Sequence, residues 1–351
     1  MVMDKNVVES QLDLFLGHSL DGFSLIKSKY NLLRKDNVYH YTDIAGFKSI
    51  IEKQELWASH ISFMNDRLEF LHGKELFKKH LNRNMNVDSD FQKTLLQNVI
   101  DRIDDEKSGW LMPHSSKDVF SLSFSYERDS LEMWRGYGRE SGIAIGFDWE
   151  RINNPSLNDG DQGMRLIRIE DYDELKKQYQ NESEILPKNE IIFIPVPVVY
   201  DDYIKDNLVD DTIKMVIDYY NKRAVRTKDG DISVASDTLL DLIFLINPLL
   251  KHRGFKGECE CRFVENYVEK AKDNYQIKFR NRGGIILPYI KYKMVDVNCR
   301  PIKRWPIHEI VIGPGLNQSK VIQSVKYFLE KKGMEDLADK VVASDIPYVE
   351  T

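Results

Sequence analysis

The run 142-GIAIGFD-148 sets the strongest constraint on this chain. It is apolar or glycine on both alternating faces, and turn residues bound it. A strand with no polar face needs strand neighbours and a covering layer on each side. The sequence supplies candidate neighbours at 37–41, 55–63, 118-DVFSLSFS-125, 191-IIFIPVPVVY-200, 258-ECECRFVE-265, 284–290 and 307–313. In 118–125, apolar residues alternate with serine, as in a half-buried strand. Two prolines put 191–200 near an edge or a bend. Between these segments, apolar residues recur at helical spacing. Thr42 or Asp43 caps a helix with Ile44, Phe47, Ile50 and Ile51 on one face. Asn65 and Asp66 introduce a second helix, 90–106 reads as a third, and Asp129 caps a short one over 130–138. Further helices fall at 203–225, 234–251 and 318–332, and 149–190 carries no clear pattern. Strands and helices interleaved this way, with no repeat and no low-complexity linker, predict an α+β fold: a central mixed or split β-sheet flanked by helices.

The expected organisation is a helical N-terminal extension (1–35), one α+β domain (36–335) with a helical insertion at about 200–250, and a C-terminal tail (336–351). A chain of 351 residues has room for a large core. Its net charge of −6 excludes a general polyanion binder and leaves a local basic groove open. Three cysteines, Cys259, Cys261 and Cys299, are too few for a disulfide framework and suit a reducing compartment. The C-x-C has no second pair, so no structural zinc is expected. MVMDKNVVES lacks the order of a secretory leader. The apolar run 239-LLDLIFLINPLL-250 is short for a membrane span and holds Asp241, Asn247 and Pro248. These readings point to the cytoplasm, with no membrane partner.

Three clusters carry candidate chemistry. In 38-VYHYT-42, strand alternation sends Val38, His40 and Thr42 one way and Tyr39 and Tyr41 the other. The helix that follows starts with the positive end of its dipole near His40, which favours a neutral imidazole. The bland alternative is a core histidine bonded to a backbone carbonyl. In 258–265, a strand would place Glu258, Glu260 and Arg262 on one face and Cys259, Cys261 and Phe263 on the core face. Arg262 can hold one carboxylate bidentately and leave the other for work, or simply neutralise the pair. In 121–147, Ser121, Ser123 and Ser125 share a strand face, and Trp134 and Tyr137 meet at i, i+3. Such aromatics can hold a planar ring or anchor a loop. The Gly-rich turn in 312-IGPGLNQSK-320 lacks a P-loop lysine. Arg280 and Arg282 in 279-FRNRGG-284, like Lys222, Arg223 and Arg226, are expected to be solvated.

Taken in order, the blocks V-Y-H-Y-T, E-L-W-A-S, Asn65-Asp66, S-L-S-F-S, M-W-x-x-Y-G, G-I-A-I-G-F and F-K-G-E-C-E-C-R, then P-Y-I and E-I-V-I-G-P, resemble a bacterial family known as domain of unknown function 2971. The likeness spans about 37 to 330 in spaced blocks. The first block is also similar in layout to the opening of ADP-ribosyltransferases of the His-Tyr-Glu type. That second resemblance implies an ADP-ribosyltransferase-like fold and NAD as substrate. It implies that His40 contacts a ribose, that Tyr137 or else Tyr41 packs the nicotinamide, and that Glu260 orients the reacting ribose beside Glu258. Thr42, Ser123, Trp134 and Arg262 complete the implied cofactor-binding set. His40, Tyr137 and Glu260 should then converge on one cleft.

The implied protein is a toxin or phage-defence effector that modifies a protein or nucleic acid, with an antitoxin or defence-system partner. Two other readings remain. One is a metal-dependent nuclease or hydrolase using Asp66, Glu69, Glu258 and Glu260. The other is a non-catalytic nucleotide-binding or sensor module.

Overall fold

The structure, a computed structural model, describes residues 37–63, 67–86, 89–104, 117–138, 142–148, 164–168, 195–224, 230–268, 277–296, 302 and 305–347. The expected N-terminal extension, Asn65, Asp66 and Cys299 lie outside these residues. The strands are β1 (Val38–Asp43), β2 (Leu56–His60), β3 (Lys117–Ser125), β4 (Gly142–Phe147), β5 (Met164–Arg168), β6 (Val196–Pro197), β7 (Glu260–Val268), β8 (Lys278–Arg282), β9 (Ile285–Asp296), β10 (Ile307–Ile312) and β11 (Val341–Ala343). The helices are α1 (Ile44–Lys53), α2 (Arg67–Asn84), α3 (Asp90–Asp104), α4 (Leu131–Met133), α5 (Asp202–Ala224), α6 (Gly230–Ile246), α7 (Gln318–Lys331) and α8 (Glu335–Ala338).

All eleven of these strands join one open, mixed sheet. Only β10 and β11 pair in parallel; the other pairings are antiparallel. Strand β7 pairs along the whole of β3, from Lys117↔Val268 to Ser125↔Glu260. The other edge of β3 is shared. β1 meets it at Tyr39↔Ser125, and β2 meets it at Ser59↔Ser121 and His60↔Phe120. The sheet therefore forks at β3. One branch runs β1-β4-β10-β11, and the other runs β2-β9 with β5 and β8 on the far edge of β9.

A core covers each face. On one, α1 and α7 pack Phe47, Ile50, Ile51, Val325 and Leu329 against Val38, Leu122, Phe124, Ile145 and Phe263. On the other, α2, α3, α5 and α6 pack Phe77, Leu95, Ile213 and Leu242 over Val119 and Val196. The run 142–147 is buried throughout, as its composition demanded. The stretch Ile232–Leu249 is long and apolar enough to cross a membrane, but most of it is buried in the helical core.

Several local expectations are revised. Asp43, not Thr42, caps α1 by accepting from the Gly46 N–H at 2.7 Å. Ser130, not Asp129, caps α4. The Asp129 carboxylate instead accepts from Trp134 Nε1, Ser344 Oγ and the Asp345 N–H, which ties the chain's end to α4. Residues 336–351, expected as a tail, contribute β11. The strand expected over 258–265 starts only at Glu260. Residues Arg253–Glu258 form a 3-10 turn, and Cys259 takes a left-handed φ of 43°. Cys261 and Phe263 are core residues, as expected, whereas Cys259 sits in the turn.

Candidate functional site

The E-C-E-C-R segment builds a buried charge cluster. Glu260 and Arg262 alternate onto the face of β7 that looks toward the helical layer, beside Ser123 and Ser125 of β3. Arg262 grips Glu260 with a fork: Nε donates to one oxygen and Nη2 to the other, each at 2.7 Å. Its Nη1 donates to the Pro248 carbonyl at 2.6 Å. Lys251 Nζ adds a bond to Glu260 at 3.0 Å and one to Glu258 at 2.6 Å. Two carboxylates and two cations thus balance in a space where an unpaired charge would be costly. Burial alone would raise the Glu260 pKa, but the Arg262 and Lys251 charges outweigh it and hold the group down at about 2. Glu260 is 2% exposed and its partner Glu258 is 18% exposed, so Glu258 is the carboxylate nearer solvent. Tyr200 closes the cluster, its hydroxyl accepting from the Glu260 N–H at 2.9 Å.

The aromatic candidates divide. Trp134 is buried, meets Tyr41 edge-on at 4.6 Å and donates to Asp129 at 2.6 Å. Tyr41 donates to the Glu127 carbonyl at 2.8 Å. Both are spent on anchoring the 126–138 segment. Tyr137 is only partly covered. Its hydroxyl is pushed up to about 12 by burial first and then by the Glu260 and Glu258 charges, so it lies within reach of the cluster's field. Of the two tyrosines, Tyr137 is the one whose hydroxyl feels the charges of Glu260 and Glu258.

His40 lies elsewhere. It pairs with Ile145 in β4 and meets the Phe124 ring at 5.7 Å, on the face opposite Tyr41, Glu260 and Arg262. The alternation along β1 is as expected, but that same alternation keeps His40 from converging with Glu260. Its Nδ1 bonds the Ser123 carbonyl at 3.0 Å, within the fork where neither β1 nor β2 pairs with β3. The imidazole takes a place a strand partner would otherwise fill. Burial lowers its pKa to about 4, with Arg280 and Arg282 contributing, so it is neutral near pH 7. Thr42 lies near the end of β1, just before α1, where its hydroxyl crowds Gly46.

Sequence reasoning missed the basic side of the fork. Arg280, expected to be solvated, folds inward: its guanidinium carbon sits 5.3 Å from the Trp57 ring and 5.5 Å from Tyr289, and those rings stack at 4.4 Å. Its Nη2 donates to Ser59 Oγ at 2.9 Å, while its Nε is buried with no partner. Ser121 Oγ and Ser123 Oγ are also buried and unpaired. Ser123 Oγ is near enough to Glu260 to favour its charged form, but not in hydrogen-bonding geometry. Each orphaned polar group costs about 1–3 kcal/mol. Lys251 and Arg280 had no local signal, since each acts through partners distant in sequence. Among the described residues, no group of three or more His, Cys, Asp or Glu side chains is placed to hold a metal ion. The Glu258 and Glu260 carboxylates face cations instead.

The fold and site define an α+β protein with an open mixed sheet, a charge-balanced cluster and a set of unmatched polar groups on one sheet face. Residues 133–263 match the model of a family described as protein of unknown function (DUF2971). The matched stretch runs from the Trp134–Tyr137 segment to β7, and so includes three of the blocks that carry the resemblance. No curated protein and no solved structure matches.

Proposed function

We propose that this protein is a cytoplasmic, ADP-ribosyltransferase-like enzyme that acts on NAD. The observation that carries the reading is the Glu258–Lys251–Glu260–Arg262 cluster, whose charges reach the Tyr137 hydroxyl. Cleaving the nicotinamide–ribose bond passes through an oxocarbenium-like state, which a nearby carboxylate stabilises. The bonding electrons leave with nicotinamide, the acceptor's nucleophile closes on the ribose carbon, and the acceptor gives up a proton. In this scheme Glu258, nearer solvent, meets the ribose. Glu260, locked by Arg262, braces Lys251, which in turn holds Glu258. Tyr137 packs the leaving ring. His40 acts from the other side of the sheet as a positioning residue that holds β3 at Ser123. The acceptor is a protein or a nucleic acid, as for a toxin or defence effector, and an antitoxin-like partner would restrain it.

A second reading, a nucleotide-binding module without turnover, is favoured by one feature: Arg262 and Lys251 already hold both oxygens of Glu260. Nicotinamide release from NAD, with cell lysate as acceptor, separates the two. The enzyme reading expects release that falls at least 100-fold in Glu258→Gln while NAD affinity stays within a few-fold. NAD binding with no release from the unaltered protein would overturn it and leave the binding module.

A further inference from the structure

We propose that Arg280, together with Ser59 and Ser121, forms a binding site for the phosphate groups of a nucleotide, set over the β2–β3 pairing on the sheet face that carries Trp57 and Tyr289. The site deepens the NAD reading, on which it rests only for the identity of the nucleotide.

Its first support is a charge without a counter-charge. Among the described residues, no carboxylate lies within ion-pair distance of Arg280, and Asp43, whose charge reaches it, is engaged at the cap of α1. A guanidinium turned into a protein without a carboxylate is poised for an anionic ligand, because desolvation penalises the unpaired charge. Burial lowers the pKa of Arg280, and Arg282 adds to the effect. The second support is the pair of empty hydrogen-bonding positions. Arg280 Nε has no acceptor, and Ser121 Oγ, in a residue only 2% exposed, has no partner. Ser121 stands directly across the β2–β3 ladder from Ser59, which already accepts from Arg280. An orphan donor on the guanidinium and an orphan hydroxyl therefore flank one residue, Ser59.

The third support is pre-organisation. The guanidinium lies over Trp57 and Tyr289, which fixes its plane before any ligand arrives. A planar fork held that way matches the oxygens of a phosphate better than a mobile ammonium does. Arg282, two residues along the same strand, puts a second positive charge on the same side. A diphosphate, with several oxygens, can take the free Nε and the Ser121 hydroxyl together. A bare base or sugar offers neither the charge nor the geometry.

The test is titration with inorganic pyrophosphate, ADP-ribose and nicotinamide riboside, followed by calorimetry and by tryptophan fluorescence. The unaltered protein is expected to bind pyrophosphate and ADP-ribose. Arg280→Gln should weaken both at least tenfold, and Arg280→Lys should weaken them less. Nicotinamide riboside, which has no diphosphate, should be indifferent to either change. Ser121→Ala should weaken ADP-ribose binding several-fold without lowering the melting temperature, since it removes an unpaired buried hydroxyl. That variant keeps the test sound if Arg280→Gln fails to fold. ADP-ribose binding that is unchanged in Ser121→Ala and in the Arg280 variants, or absent from the unaltered protein, overturns the site. Arg280-dependent binding without NAD cleavage leaves the site standing and removes the transferase. Cleavage with binding indifferent to Arg280 does the reverse.

Discussion

At the scale of single residues, two buried groups both titrate below their ordinary values, and both make acid harmful. His40 takes up a proton near pH 6.5 in the unfolded chain but only near pH 4 when folded. The unfolded state binds more protons between those values, so stability falls as pH drops through that window. The expected loss is ~3 kcal/mol between pH 6.5 and 4, absent in His40→Gln, and read from urea unfolding of both proteins across that range. Glu260 acts lower, its contribution being present above pH 4.5 and lost as pH falls toward about 2. At neutral pH, Glu260→Gln takes from Arg262 its charge partner and leaves Lys251 paired with Glu258, and should cost about 3–5 kcal/mol by the same measurement. A change below 1 kcal/mol would mean that the cluster is wetter than its geometry implies. Strand alternation in the sequence was enough to sort the two sides of β1 and to put Ser121, Ser123 and Ser125 together. It could not say which side of β1 faced Glu260, because that depends on two non-local pairings, β1 with β3 at Tyr39↔Ser125 and β3 with β7 at Ser125↔Glu260. Nor could it foresee Cys259, since a left-handed conformation at a non-glycine residue leaves no mark in composition.

At the scale of elements, the helical layer is tied to the charge cluster by contacts that no periodicity reveals. Lys205, near the start of α5, is 1% exposed. Its Nζ bonds Asp202 at 2.7 Å and the carbonyl of Lys251 at 3.1 Å, so α5 holds the backbone of the residue that bridges Glu258 and Glu260. Helix α2 is pressed against the turn after α6 through Gly73, where an added Cβ would overlap the Asn247 side chain. Gly73→Ala should improve helix propensity by about 1 kcal/mol yet lose more to the overlap, for a net destabilisation of ~1–2 kcal/mol in denaturant unfolding. A net gain would show that α2 rides loosely on that turn. Helices α1, α3, α5, α6 and α7 were all legible within a few residues from their apolar spacing, since each buries one face of many residues. Strand β6 falls within the expected extended run 191–200, but β5 and β11 were not legible, because three to five residues cannot carry a period that stands out from chance.

At the scale of the molecule, the two cores lie on opposite faces of one sheet, and adjacent residues of β3 serve both: Val119 belongs to one and Phe120 to the other. Loss of either core should therefore take the other with it. Calorimetry is expected to give a single heat-absorption peak that coincides with the loss of tryptophan fluorescence. Two separated peaks would mean that the 202–246 helices melt as a unit of their own. The expected α+β class was readable because many short extended segments alternate with amphipathic ones. The fork in the sheet was not, since nothing local in β3 announces that two strands will share its edge. That fork has a mechanical meaning. β3 and β7 form a stem, the strand sets led by β1 and β2 are its limbs, and in the crotch between them an imidazole stands in for a rung of the ladder. What braces the limbs at the crotch is therefore one side-chain bond and the apolar core shared by Val38 and Ile145 of one limb and Ala58 and Ile290 of the other, rather than a row of backbone bonds.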